Sequence, residues 1–171
     1  MYQLLLTPLL GLAIAGNITK FEIKSSAFQN GAKIPARYTC DSLNLSPSLS
    51  WAGAPAETKS FALICEDPDA PSGTFIHWVI FNIPKEKNGL EENVPKKDFL
   101  PDGTVQGKNS AGRTGYTGPC PPPGKPHRYF FKLYCLNTKL SLKQQANKTE
   151  LEMAMKGHIL AEAQVFGTYQ R

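Results

Sequence analysis

Apolar and polar residues alternate with a period of two along several short stretches, which is typical of β-strands with one buried face. The clearest stretch runs from His127 to Leu136. The period of two places five residues on one face of this strand: His127, Tyr129, Phe131, Leu133 and Cys135. Residues 21–24 alternate as well, and residues 49–51 form a shorter candidate strand. The mainly apolar runs at 61–65 and 77–83 predict strands covered on both faces.

Glycine and proline separate these predicted strands. The segment 30–35 predicts a turn, followed by a second extended stretch that ends near Tyr38. Between Pro84 and Lys125 the sequence is polar and rich in both residue types, which predicts a long excursion over the surface. Long ordered loops in compact domains tend to carry function, so this segment is a candidate for part of a binding site.

The C-terminal part of the chain has the only helical pattern. A capping-box motif begins at Thr149, in the run Thr149-Glu150-Leu151-Glu152. Apolar residues then recur at steps of four, namely Leu151, Met155, Ile159 and Ala163. The pattern predicts a helix that packs on a sheet and is broken or bent at Gly157.

The length of 171 residues favours one mainly β domain, which we place at residues 16–171. The first fifteen residues form an apolar leader that ends in Ala13-Ile14-Ala15, a small-x-small cleavage pattern. This leader predicts a signal peptide and a periplasmic or secreted protein, and it is too short for an ordinary membrane span. Because it lacks a basic n-region, a cytoplasmic location is the alternative.

Charge and cysteine content exclude some functions. The formal charge of +5 comes from scattered lysines without an arginine run, which argues against nucleic-acid binding. The cysteines have no zinc-knuckle spacing, and the sequence predicts neither a metal nor another cofactor. Two cysteines lie in loops, Cys40 and Cys120, and two in strand-like runs, Cys65 and Cys135. If the protein is exported, we expect each like pair to form a disulfide; for each cysteine, a buried inert thiol is the alternative.

Polar residues concentrate where predicted strands meet loops. The segments are Asp67-Pro68-Asp69-Ala70-Pro71, His77-Trp78, and a glycine-rich loop around Tyr116 that runs on to His127-Arg128-Tyr129. Each alone is explained by turn chemistry or by a structural histidine. Together they can bring two histidines, two acids and a tyrosine to one edge of a sheet. Imidazole and phenol groups donate to phosphate oxygens, and a carboxylate orients the ring, so this set suits an anion.

Five strings, in order, carry a resemblance to a known family: DPDAP, HWV, GYTGPCPPPG, HRYFFKLY and GHILAEAQVFGTY. With YTCDSLNLSPSLSW before them, they resemble the phosphatidylethanolamine-binding family, in particular its bacterial and archaeal Raf-kinase-inhibitor-like branch. The resemblance runs from about Phe21 to Tyr169. It implies a central antiparallel β-sheet packed by a second, smaller sheet, with short flanking helices and a shallow anion pocket at one end.

The resemblance also implies site residues. The pocket is expected to be formed by Asp67, Asp69, His77, His127 and Tyr129. Pro71 is expected to follow a cis peptide bond, and the loop that closes over the pocket is expected to contain Tyr116, Gly118 and Pro119. Cys65 and Cys135 stand where the family has small aliphatic residues, which leaves open an additional disulfide or two tolerated thiols.

The function expected from this resemblance is binding of phosphate or a phospholipid head group, without catalysis, coupled to regulation of a kinase or inhibition of a serine protease. A homodimer is compatible with this branch of the family. The alternative is a hydrolase or phosphatase in which His77 or His127 is the general base and Asp67 orients it. Against it, the sequence has no G-x-S-x-G elbow. A scaffold protein with a vestigial pocket is a third hypothesis.

Overall fold

The computed structural model describes residues 20–171, whose strands form two antiparallel sheets. The smaller sheet contains β1 (Glu22–Ser25), β2 (Leu49–Ala52) and β5 (Gly89–Leu90), in that spatial order. The larger sheet contains, from edge to edge, β6 (Val105–Gln106), β4 (Phe75–Pro84), β3 (Ser60–Asp67), β7 (His127–Leu136) and β8 (Ile159–Tyr169). A helix, α1 (Lys148–Met155), and a short 3-10 helix (Ala36–Tyr38) complete the described elements. The mainly β prediction is confirmed.

The larger sheet is buried on both faces. One face packs with the smaller sheet in a cluster that contains Trp51, Phe61 and Phe131. The other face packs against α1 through Leu151 and Met155. This double cover explains why every residue of β3 is buried and why the sequence at 61–65 is a continuous apolar run.

The C-terminal helix is shorter than the sequence pattern predicts. It ends at Met155, Gly157 has a φ of +81°, and Ile159 and Ala163 belong to β8. A step of four residues fits a strand as well as a helix, because four is also a multiple of two. Pairing decides between them, since β8 supplies the backbone partner for β7 along its whole length. The capping box also starts two residues earlier, at Asn147 with Glu150.

Two segments predicted as extended or superficial are more ordered than expected. The stretch ending at Tyr38 turns into a 3-10 helix, held by the Tyr38 amide, which donates to the Pro35 carbonyl at 3.0 Å. The excursion from 84 to 125 includes β5, β6 and buried residues. Its Gln106 accepts a hydrogen bond from the Trp78 indole at 2.8 Å and donates to the carbonyls of Pro95 and Lys97. The Gln106 side chain thus satisfies backbone carbonyls of this segment that have no strand partner.

The cysteine predictions are half right. Cys40 and Cys120 form a disulfide across a sequence separation of 80 residues. Cys65 and Cys135 are free and buried, so the second predicted disulfide is wrong. The β3–β7 register explains this, because Cys135 lies opposite Phe61, four positions from Cys65. Four residues span about 13 Å of strand, far beyond the reach of a disulfide.

The proposed signal peptide, residues 1–15, lies outside the described residues and stays a prediction. Between residues 20 and 171 no helix is long and apolar enough to cross a membrane.

Candidate functional site

The centre of the larger sheet brings three predicted site residues to one end. Asp67 is the last residue of β3, His127 is the first of β7, and His77 lies near the start of β4. Because β3 lies between β4 and β7 and is antiparallel to both, its end meets their beginnings. Tyr129 follows His127 on the same face of β7. The expected convergence of strand ends is therefore present in the fold.

Asp67 and His127 form a buried pair. The Asp67 carboxylate oxygen Oδ2 lies 2.8 Å from His127 Nδ1, and Oδ1 accepts the amide of Asp69 at 2.8 Å. The two residues are 3% and 8% exposed. An ionised carboxylate only accepts hydrogen bonds, so the hydrogen of this contact is on Nδ1. The carboxylate consequently fixes both the orientation and the tautomer of the ring.

His77 is held by the loop that follows β6. Its Nδ1 donates to the Thr117 carbonyl at 2.6 Å, and the Thr117 amide donates to the His77 carbonyl at 2.9 Å. The ring packs edge-on against Tyr129, with centroids 5.1 Å apart, and against Phe75. Burial lowers the pKa of His77, although the Thr117 carbonyl and the charge of Asp67 oppose this shift. The His77 ring is therefore uncharged at neutral pH and bounds the cluster on the side of β4.

The Tyr129 hydroxyl is the unusual group in the cluster. Tyr129 is 1% exposed, and its hydroxyl has no hydrogen-bond partner within residues 20–171. Burial raises the pKa of this hydroxyl, and the nearby Asp67 carboxylate raises it further, through its charge and as an acceptor whose geometry falls short of a regular hydrogen bond. A buried donor without a partner costs free energy, so it points to a group that is supplied from outside the chain.

Asp69 lies at the edge of the cluster and is already engaged. Its carboxylate accepts hydrogen bonds from the Arg128 amide and Nε at 2.9 Å, and from Nη2 at 2.7 Å. These contacts lower the pKa of Asp69 to about 2. Sequence reasoning missed Arg128, although its position next to His127 was a usable signal. Asp69 thus neutralises an arginine at the rim and leaves the interior to Asp67.

The Asp69–Arg128 pair predicts a specific acid sensitivity. The folded-state pKa of Asp69 is about 2, and its ordinary value is 3.8. The ionised carboxylate therefore stabilises the folded protein fully at pH values above about 4. This stability is lost as the pH falls from about 4 to about 2. In Asp69→Asn, we expect the midpoint of urea unfolding to fall less over this range. Asp98→Asn is the control. If the urea midpoint of Asp69→Asn falls between about pH 4 and about pH 2 as much as that of the wild-type protein, Asp69 is not the group responsible for the acid sensitivity.

The predicted loop residues Tyr116, Gly118 and Pro119 are all engaged in hydrogen bonds within the chain. The Tyr116 hydroxyl donates to the Tyr38 carbonyl at 2.9 Å, and the Gly118 amide donates to Asn44 Oδ1 at 2.7 Å. The Pro119 carbonyl accepts the Cys40 amide at 3.0 Å. The Gly118 N–H is therefore not free to bind an anion, because it already donates to Asn44. Sequence reasoning missed Asn44, a loop residue with no local signal.

Gly118 is nevertheless required by packing. A Cβ atom at this position would lie 2.4 Å from the Tyr38 carbonyl oxygen and 2.8 Å from Thr39 Cα. Only glycine allows the loop that carries Thr117 to approach the neighbouring chain so closely.

Pro71 lies in the turn between β3 and β4, and its peptide bond is not cis. Residues 20–171 contain no cis peptide bond. The Gly73 amide donates to the Ala70 carbonyl at 3.1 Å, which makes Pro71 the second residue of a β-turn. Trans proline fits that position, whereas a cis proline occupies the third position. The expectation of a cis bond is wrong.

Fold and site together define a class: small proteins of two antiparallel sheets with an acid, histidine and tyrosine cluster at one end of the larger sheet. A family model described as phosphatidylethanolamine-binding protein matches residues 24–170, and the chain belongs to this family. The resemblance inferred from the sequence is confirmed. Membership supports a non-catalytic binding protein at this coarse level.

Relatives cover nearly the whole described chain. A UPF0098 protein of Methanothermobacter thermautotrophicus is 58% identical over 149 residues, which are 87% of this chain and 98% of the relative. YbcL of E. coli has a solved structure that is 34% identical, with a TM-score of 0.83 over 89% of this chain and 99% of that one. The structure of the Chlamydia trachomatis homologue CT736 is 39% identical, with a TM-score of 0.81 over 89% and 98%.

Proposed function

We propose that this protein binds phosphate or a phosphorylated head group, without catalysis, at the cluster of Asp67, His77, His127 and Tyr129. The observation that carries the proposal is the buried Tyr129 hydroxyl, which makes no regular hydrogen bond within residues 20–171 even though the Asp67 carboxylate is nearby. Leaving such a group unpaired costs about 1–3 kcal/mol. An unprotonated oxygen of a bound anion accepts hydrogen bonds only, so it is the matching partner for a phenolic O–H.

The charges around the cluster support an anion more than a cation. Asp69 is neutralised by Arg128, and Asp67 is paired with His127, so neither carboxylate is free to bind a cation. The remaining groups that can face a ligand are the Tyr129 hydroxyl and the outer nitrogen of His127. His77 contributes a ring edge and closes the site from the side of β4.

We further propose that occupancy of the site modulates a protein partner, either a kinase or a serine protease. This step rests on the family resemblance, because the fold alone does not name a partner. The Cys40–Cys120 disulfide supports a periplasmic or secreted protein, since disulfides persist mainly in oxidising compartments.

Tyr129→Phe tests the proposed site. We expect it to weaken phosphate binding about 10-fold to 100-fold, because it removes a hydrogen bond to a charged ligand. The same change is expected to leave the free protein equally stable, or more stable by up to about 1 kcal/mol, since it removes an unpaired buried hydroxyl. Binding is measured from the NMR shifts of the His77 and His127 rings during phosphate titration, and stability from urea unfolding.

Tyr134→Phe is the matched control, because Tyr134 lies on the opposite face of the same strand. It is expected to leave phosphate affinity unchanged. Wild-type protein whose histidine shifts do not saturate with phosphate would contradict the proposed function. Turnover of a generic phosphoester that disappears in His127→Ala would instead support the hydrolase hypothesis.

A further inference from the structure

The contact between Asp67 and His127 limits what His127 can offer a ligand. Nδ1 already donates its hydrogen to the carboxylate, at 2.8 Å. A neutral imidazole carries one N–H, so Nε2 of neutral His127 has only a lone pair. An anion oxygen also presents lone pairs. Neutral His127 therefore repels an unprotonated anion oxygen, and it becomes a donor to that oxygen only when Nε2 gains a proton.

The balance of charge leads to the same requirement. The charged groups around His127 come from three places: Asp67 and Asp69 at the end of β3, Arg128 beside it on β7, and a group around its β8 neighbour Tyr169, namely Asp41, Arg171 and Lys33. Asp69 with Arg128, and Asp41 with Arg171, are neutral pairs. Lys33 lies over the Tyr169 ring and forms no ion pair with Asp67. With a neutral ring at His127, the Asp67 carboxylate is therefore a negative charge without a charged partner beside the anion. With an imidazolium, this carboxylate has a charged partner.

The other titratable neighbours do not provide an alternative proton site. His77 on β4 is 4% exposed, and its Nδ1 faces the uncharged Thr117 carbonyl. Burial disfavours its charged form and lowers its pKa. Burial also raises the pKa of Tyr129, so this hydroxyl keeps its hydrogen. His127 is the histidine in direct contact with a carboxylate, and its Nε2 is the ring nitrogen left to take up a proton.

We propose that the anion and one proton bind together, with the proton taken from solvent and held on Nε2 of His127. The inference rests on the proposed function and adds its regulation: the pocket fills as the pH falls and empties as the pH rises. The bound oxygen then accepts two hydrogen bonds from this face of β7, one from His127 Nε2 and one from the Tyr129 hydroxyl.

Sulfate is the appropriate probe, because its charge does not change where imidazole titrates, from about pH 5 to about pH 8. Sulfate affinity is measured in the wild-type protein by NMR titration across this range. Above the pH at which His127 loses its proton, we expect affinity to fall about 10-fold per pH unit. By reciprocity, saturating sulfate is expected to raise the titration midpoint of His127.

The chain contains its own control in His158, which contacts Asn137 outside the cluster. The titration midpoint of His158 is expected not to move with sulfate, and His158→Gln is expected to keep the full pH dependence. His127→Gln has an amide that donates at any pH. It is expected to bind sulfate more weakly, with an affinity that does not change with pH.

The possible results distinguish proton coupling from anion binding itself. Saturable sulfate binding with the same affinity across the whole pH range would overturn the proton coupling and leave the anion pocket in place. Absence of saturable binding by sulfate and by phosphate at every pH would overturn the proposed function itself, and the inference with it.

Discussion

Replacing Cys40 and Cys120 together with serine is expected to lower the free energy of unfolding by about 4 kcal/mol. The disulfide joins residues separated by 80 positions, and closing so long a loop removes much conformational entropy from the unfolded chain. The measurement is urea unfolding of the wild-type and double-serine proteins under oxidising conditions. Since a domain of this size is stable by about 5–15 kcal/mol, the loss is a large fraction of the total.

Reductant provides the matched control for this prediction. Treating the wild-type protein with dithiothreitol is expected to reproduce the loss of stability, and treating the double-serine protein is expected to change nothing further. Cys65 and Cys135 are already free thiols in the core, so reduction leaves them as they are. Equal stability of the wild-type protein with and without reductant would show that the Cys40–Cys120 bond does not contribute to folding.

Phe131→Ala is expected to destabilise the protein by about 4 kcal/mol, the usual cost of truncating a fully buried phenylalanine. Phe131 is 0% exposed, and its ring packs between Phe28 and Tyr116, with centroids 5.9 and 6.4 Å away. Its removal leaves a cavity between the two sheets, directly below the loop that carries Thr117. The measurement is thermal or urea unfolding of the purified variant.

Phe130→Ala is the control because the two residues are neighbours on the same strand and face opposite ways. Phe130 is only half-buried and stacks on Phe166, with centroids 5.1 Å apart. Its truncation is expected to cost about 1 kcal/mol. A loss for Phe131→Ala as small as that for Phe130→Ala would mean that this face of β7 is not the core between the sheets.

The strands of the larger sheet were predictable because the burial of each strand face is reflected in the local pattern of apolar and polar residues. Residues 127–135 alternate between buried and more exposed positions, and the runs at 61–65 and 77–83 are apolar because both faces are covered. The segment after Gly157 was not predictable in the same way. Its apolar spacing of four fits both a helix and a strand, and only the need of β7 for a backbone partner selects the strand.

The site was predictable where it depends on strand ends and not where it depends on loop contacts. Asp67, His77, His127 and Tyr129 stand at or near the ends of recognisable strands, so antiparallel pairing brings them together. The partners that hold the rim come from distant loops. Asn44 reaches the Gly118 amide across 74 positions of sequence, and no local pattern records such a contact.

The loop at residues 115–120 is tied down by the Cys40–Cys120 disulfide, by the Gly118 amide bonded to Asn44, and by the Tyr116 hydroxyl bonded to Tyr38. A loop that is already ordered loses little conformational entropy when a ligand arrives. If the cluster binds a small anion as proposed, the loop therefore needs little further ordering when the anion binds. Under the proposed function, affinity for an anion then depends on the hydrogen bonds and charges of the cluster and not on the entropy of ordering this loop.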